Sequence, residues 1–258
     1  MHEILRRTQA GDRVLDLGSQ FGSFAASDAA GLVVRLDLDP RPGKGGELVC
    51  GRAEALPFRD DSFRAVISNH SLEHFDLLDD ALREAARTLA PGGVLYAAVP
   101  DSTTLSDRLY RWLGRGGGHV NPFPSLVGFH RRVSEKTGLA YRGGRDLFAS
   151  WSFLNRKNSP GPVQKKLYLL GGGGERCLRW WSWLARRTDK LLGTRLAIYG
   201  WACYFGETEE VDEEAWSNVC VRCGAGRPVS EIDQRVQERP WPTYRCPDCS
   251  AINLLTDD

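Results

Sequence analysis

Four cysteines near the carboxyl end fall into two C-x-x-C pairs, Cys220 and Cys223 in VCVRCGAG and Cys246 and Cys249 in YRCPDCSA, with 22 residues between the pairs. Four thiolates at this spacing form the donor set of a tetrahedral zinc site, and a site closed by four protein ligands is structural. The segment 216–258 is only about forty residues long, too short to bury much core, so zinc would carry its folding. A second stretch that can do chemistry is VLDLGSQFGSF, residues 14–24. Its apolar run holds one acid, Asp16, and breaks at Gly18 and Gly22. A strand entering a glycine turn usually holds a nucleotide-like ligand. The glycines do not follow the G-x-G-x-x-G spacing, and Asp16 would repel a pyrophosphate, which opposes a nicotinamide oxidoreductase. A nucleoside bearing a cationic amine suits the acid better. S-adenosylmethionine is such a ligand, cationic at both its ammonium and its sulfonium.

That ligand also needs an acceptor for its ribose hydroxyls at the end of the next strand, about 20 residues on. VVRLDLDP supplies Asp37 there, with Asp39 two residues further. Five histidines, His2, His70, His74, His119 and His130, are the candidate bases, because an imidazole titrates near neutrality. His70 and His119 fall where strands give way to loops, on the ligand side of a doubly wound sheet. His74, within SLEHF, reads as locally packed.

The elements that must position these residues follow from periodicity. Strands are expected at Val14 to Leu17, Leu32 to Leu38, Glu47 to Cys50, Ala65 to Ser68, Val94 to Val99 and Leu196 to Phe205, with an extended stretch from Tyr141 to Phe153. Helices are expected at Glu3 to Gln9, Gly22 to Ala30, Asp79 to Leu89 (stopped by Pro91-Gly92-Gly93), Ser125 to Thr137 and across ERCLRWWSWLARRTDKLL. Apolar strands alternating with helices argue an α/β fold, a doubly wound, mostly parallel, seven-stranded Rossmann-like sheet. The expected domains are 1–206, with substrate-covering insertions over 101–195, then an acidic linker 207–215 (ETEEVDEE), then the cysteine module 216–258.

In order, VLDLGSQFGSF, LDLDP, GRAEALPFRDDSFRAVISNHSLEHF and EAARTLAPGGVLYAAVPD resemble the class I S-adenosylmethionine-dependent methyltransferases, in the type 11 group that includes ubiquinone and menaquinone methyltransferases. GHVNPFPSLVGFHRRVSEKTGLA is similar to the His-containing loop and helix that follow the fifth strand in many of them, so the likeness covers roughly residues 10–140. It implies that Asp16, Gly18, Gln20 and Gly22 frame the methionine end, that Asp37 holds the ribose, that Ala53 and Glu54 lie against the adenine, and that Asn69 and His70 face the methyl. Three positions depart from the family. Gln20 replaces a glycine, Arg52 replaces an aspartate that accepts from adenine and cannot itself accept, and Arg64 replaces a structural aspartate. The Asn-Pro-Pro-Tyr motif of many base N-methyltransferases is absent, as Asn69-His70-Ser71-Leu72 stands there. The expected reaction is O-methylation aided by His70 or His119. The cysteine module resembles a zinc ribbon.

The chain has 258 residues, is 41% hydrophobic and carries a net charge of +1. The charge is unevenly distributed. Residues 101–200 hold 18 Lys and Arg against 6 Asp and Glu, while the rest holds 16 against 27. A basic middle suits an anionic partner, and a solvated face is the plainer alternative. Trp180, Trp181 and Trp183 stand among Arg179, Arg186, Arg187 and Lys190. This segment is open to three readings: a helix packed on the sheet, an aromatic wall or lid over the site, or a peripheral contact with the inner face of a membrane. No signal peptide or spanning segment is read, and the cysteine usage fits a reducing cytoplasm. The expected acceptor is small, glycan-linked or lipid-linked. A methyltransferase docking on RNA or protein through the ribbon, and a cofactor-binding scaffold without turnover, remain the alternatives.

Overall fold

The computed structural model describes residues 1–113, 118–158, 173–208, 211, 214, 216–227, 229–232, 236–237 and 240–256. Part of the expected insertions 101–195, of the acidic linker 207–215 and of the cysteine module lies outside them. In chain order the strands of the large sheet are β1 Arg13–Leu17, β2 Leu32–Asp37, β3 Glu47–Cys50, β4 Phe63–Asn69, β5 Leu89–Pro100, β6 Tyr141–Phe148 and β7 Ile198–Gly206. They are arranged β3-β2-β1-β4-β5-β7-β6. The first five pair in parallel, with Leu15 opposite Val34 on one side and Val66 on the other. The apolar residues of β1, β2, β4 and β5 are mostly buried, as a sheet covered by connections requires, while the edge strand β3 is exposed or half-buried. The order reverses direction between β1 and β4, so their carboxyl ends flank a crevice. In such sheets that crevice is where ligands bind.

Helix α1 is His2–Leu5, α2 is Leu78–Thr88, α3 is Leu105–Leu113, α4 is Leu126–Thr137 and α5 is Glu175–Leu192. Leu78, Ala81, Leu82 and Ala85 of α2, with Phe129 and Val133 of α4, cover Leu15, Leu36, Val66, Leu95 and Phe205 in the main core. Helix α4 is capped at both ends. Ser125 accepts from the Gly128 amide at 2.9 Å, and Gly138 closes the helix in the left-handed region at φ 71°.

The extended stretch expected to reach Phe153 ends at Phe148, before the 3-10 turn Ser152–Leu154, and three further expected elements differ, each for a visible reason. Helix α1 ends at Leu5 because the Thr8 hydroxyl takes the Leu5 carbonyl at 2.6 Å. Helix α2 passes directly into β5, and Pro91 to Gly93 lie inside that strand beside a register shift between Phe63 and Ala65. The helix expected over Gly22 to Ala30 shrinks to one 3-10 turn, Ala26–Asp28. Its Phe24 carbonyl is taken by Arg35, whose guanidinium, wholly buried on β2, also donates to the Lys44 and Gly45 carbonyls.

The contacts divide the chain into two compact units, Met1–Asp101 with Gly118–Arg145 and Trp201–Glu213, and Ser102–Gly117 with Asp146–Gly200 and Glu214–Asp258. The cysteine segment is thus grouped with α3 and α5. The reason is a shared core, in which Val221 of the cysteine segment packs with Trp151, Leu154 and Leu178.

Candidate active site and cysteine cluster

At the carboxyl ends of β1, β2 and β4 the structure brings together Gly18, Gln20, Asp37, Asn69 and His70. Gly18 and Ser19 both donate their amides to the Leu36 carbonyl, drawing the glycine turn over β2. The Ser71 hydroxyl donates to the Leu17 carbonyl at 2.8 Å. This brings the turn after β4 so close that a Cβ on Gly18 would lie 2.4 Å from the Ser71 Cβ, and Gly18 also has φ 70°. Only glycine meets both demands. Gln20, where the family has glycine, adopts the left-handed region at φ 43°, and its amide donates to the Asp37 carboxylate at 2.9 Å. The other Asp37 oxygen accepts from the Asp39 amide at 3.0 Å. Asp37 thus keeps a partly accessible carboxylate at the end of β2.

Asp16 lies deeper. Its carboxylate has no accessible surface, accepts from the amide and hydroxyl of Ser23 at 2.9 and 2.7 Å, and is ion-paired with Arg35. Burial holds its carboxyl above the ordinary carboxylate range, and the Ser23 and Arg35 contacts offset only part of that rise. The acid therefore ties the glycine turn to Arg35. Gly22, φ 99°, runs so close to that guanidinium that a Cβ would lie 2.7 Å from Nη1. Ser23, Arg35 and Ser71 hold these turns together and were not singled out from the sequence. The signal available was a lone arginine inside the apolar strand LVVRLD.

In the loop after β3, Ala53 is buried and Glu54 is ion-paired with Arg52. The substituted arginine thus neutralises the neighbouring acid.

His70 stands at φ 57°, with its amide donating to the Ala98 carbonyl at 2.9 Å. A third of its side chain is accessible, while Nδ1 is enclosed 4.0 Å from a Glu73 carboxylate oxygen. Desolvation, helped by the nearby His119 and His74, pushes its pKa down to about 4, so the ring is neutral at neutral pH. The His74 and His119 rings meet edge to face, centroids 4.9 Å apart. His74, expected only to pack locally, belongs to this cluster.

In the other unit, Cys220, Cys223, Cys246 and Cys249 bring their sulfurs within 4.8 Å of one another. Sγ separations are 3.5 Å for Cys220 and Cys249 and 3.6 Å for Cys223 and Cys246. Zinc bonds of about 2.3 Å in a tetrahedron place sulfurs about 3.8 Å apart, so the donors fit that ion. The two knuckles repeat one pattern. Cys220 and Cys246 donate their amides to Ala225 and Ala251, and Gly224 and Ser250 return theirs to the cysteine carbonyls. The Arg222 amide and Asn253 Nδ2 approach the Cys220 sulfur at 3.4 Å, which is how outer-shell donors steady a thiolate ligand. This four-cysteine cluster is consistent with a zinc ribbon.

Comparison with known proteins follows this geometry. Residues 15–97 match a methyltransferase domain family model. Over 126 residues the chain is 36% identical to a malonyl-[acyl-carrier protein] O-methyltransferase of Methylococcus capsulatus, covering 43% of this chain and 46% of that protein. The chain thus spans about half the length of this curated relative. Among solved structures, a SAM-dependent methyltransferase of Thermotoga maritima shares the fold with TM-score 0.50 and 18% identity, covering 80% of this chain and 87% of that one. The cyclase SpnF does so with TM-score 0.50 and 17% identity, covering 80% and 78%. A fold shared with a cyclase does not itself name a reaction. Residues 15–97 thus resemble a methyltransferase domain, and the chain shares the Rossmann-like α/β fold of these methyltransferase structures.

Proposed function

We propose that the chain transfers a methyl group from S-adenosylmethionine to an oxygen of a small, glycan-linked or lipid-linked acceptor. The observation that carries this reading is the convergence of Gly18, Asp37, Asn69 and His70 on the crevice where the strand order reverses. The cofactor supplies a methyl already activated by its sulfonium, so the protein's work is alignment and proton handling. Asp37 would accept from the ribose. The close-held turn at Gly18 and Gln20 would receive the methionine end, with Asp16 supporting it from below through Ser23. Ala53 and Glu54 would border the adenine. Neutral His70 has a lone pair to accept a proton and sits beside Asn69 where an acceptor would approach. The relative named as an O-methyltransferase supports an oxygen acceptor without identifying it.

Zinc on the four thiolates would hold the cysteine segment, and reduced thiolates suit a cytoplasmic location. No helix among the described residues is long and apolar enough to cross a membrane. Exposed Trp180, Leu184 and Leu191 beside Arg187 and Lys190 on α5 support a peripheral contact with an anionic membrane face. Co-sedimentation with anionic vesicles that fades with salt tests that contact, and absence of binding at low salt removes it.

The principal test is calorimetric titration with S-adenosylhomocysteine, with NADH as the control ligand. Micromolar binding of the first alone, lost in Asp37→Ala, is expected. A folded, zinc-loaded protein that binds neither ligand would leave a scaffold and no methyltransferase.

A further inference from the structure

Beside the crevice, Glu73, His74 and His119 each offer one ligand atom, and these atoms lie within 4.8 Å of one another. Two imidazoles and a carboxylate form a donor set for divalent transition-series cations. We propose that Glu73, His74 and His119 bind a divalent metal ion, Zn2+ or Mn2+, with open coordination positions facing the acceptor.

Several features built into the backbone assemble these donors. Glu73 and His74 lie in the 3-10 turn Leu72–His74 that follows β4. His119 comes from the segment leading to α4, and that segment is fastened to the turn. The amides of Val120 and Asn121 both donate to the Glu73 carbonyl, at 2.8 and 3.0 Å. Asn121 Nδ2 donates to the Leu72 and Phe75 carbonyls at 3.2 and 2.7 Å. His119 is thereby held next to Glu73 despite the distance between them in sequence.

The ring orientation of His74 is a second, independent observation. Its Nδ1 lies 3.2 Å from the Gly118 carbonyl. A carbonyl only accepts, so Nδ1 carries the proton and Nε2 keeps the lone pair. A backbone carbonyl that fixes the tautomer of an imidazole is the usual outer-shell arrangement of a metal-binding histidine. Glu73 is 1% accessible, and buried carboxylates are held by cations or by metals.

Three protein donors leave at least one coordination position open, unlike four. An acceptor hydroxyl in that position would lose its proton more readily, because a bound cation lowers the proton affinity of a coordinated oxygen. That role rests on the methyltransferase reading, whereas the binding itself does not. It also commits the His119 lone pair to the metal and leaves His70 as the base.

The test uses the full chain with its thiolate cluster loaded. After equilibration with Zn2+ or Mn2+ and removal of free ion, metal content is measured together with the electron paramagnetic signal of Mn2+. About two ions per chain are expected for the unaltered protein, and about one for Glu73→Gln and for His119→Ala. His130→Ala, which removes a ring stacked on Tyr141, keeps both and controls for histidine loss. Circular dichroism confirms that each variant is folded, and His74→Ala replaces any that is not. One ion per chain in the unaltered protein, or a second ion that persists in both Glu73→Gln and His119→Ala, overturns the proposal. S-adenosylhomocysteine titration of the same samples separates the two readings. A second metal without cofactor binding leaves the site standing and removes its methyl-transfer role.

Discussion

The two clusters of metal-ligating side chains, one in each compact unit, are built on opposite plans. Cys220, Cys223, Cys246 and Cys249 supply four donors from two short knuckles, each knuckle closed by its own amide-to-carbonyl bonds. An ion there would have all its positions filled by protein, and its binding energy would become folding energy. Glu73, His74 and His119 supply three donors at the edge of a sheet that is already packed. Their backbone is held by Asn121 and by the amides of Val120 and Asn121, with no ion required. An ion there would add little to the fold and would keep a face for a ligand. The contrast would separate a metal used for architecture from one used for chemistry.

Stripping the thiolate metal with a chelator should have the largest effect. Val221 shares a core with Trp151 and Leu178, and Arg222 pairs with Glu175. Loss of the ion should therefore raise amide exchange over both the cysteine segment and α5 while residues 1–101 keep their protection. Equal loss of protection in residues 1–101 would break the comparison. Arg35→Ala should come next. It strands the buried Asp16 carboxylate and should cost about 3 kcal/mol in denaturant unfolding. Adding Asp16→Asn should restore part of that, and strict additivity would show that the pair does not act as one.

His70→Ala should lower methyl transfer by about a hundredfold if it handles the proton, with S-adenosylhomocysteine affinity nearly unchanged. Full turnover would remove it as the base. Gln20→Gly should relieve a left-handed side chain worth about 1 kcal/mol and tighten cofactor binding modestly, as calorimetry would show; weaker binding would mean that the Gln20 side chain itself contacts the ligand. Glu175→Gln should have the smallest effect, a melting temperature lower by a few degrees for the cysteine-bearing unit. The Arg222 guanidinium, with Lys157, holds the Glu175 carboxyl down at about 2. Because the folded value is depressed, this stabilisation is complete above the ordinary carboxylate range and fades as pH falls toward 2. In the variant, melting should lose that part of its acid dependence.

The thiolate cluster was legible in the sequence because each pair of ligands sits within one knuckle, so spacing alone reports geometry. The strands β1, β2, β4 and β5 were legible because burial on both faces leaves nearly continuous apolar runs. The site at their ends was legible only in part. Asp37, Asn69 and His70 reach the crevice by strand position. The true partner of Asp16 was hidden, since Arg35 reads as a surface charge unless its strand is known to be buried. The absent helix after Gly22 has the same cause, because a long-range guanidinium outcompeted local periodicity for the Phe24 carbonyl. Glu73, His74 and His119 were legible least of all. One of the three ligands lies on a distant segment, and no motif spacing links it to the other two.

Trp180 and Trp183 on α5 meet Trp241 of the cysteine segment, with ring centroids 5.2 to 5.7 Å apart and nearly perpendicular planes. Indoles at that range couple their electronic transitions, so the trio gives the unit a native optical gauge. Near-ultraviolet dichroism and tryptophan emission should change together when the cysteine segment leaves α5, before any global melting. Metal loading of the chain can then be followed continuously, without a label, through light that it already absorbs.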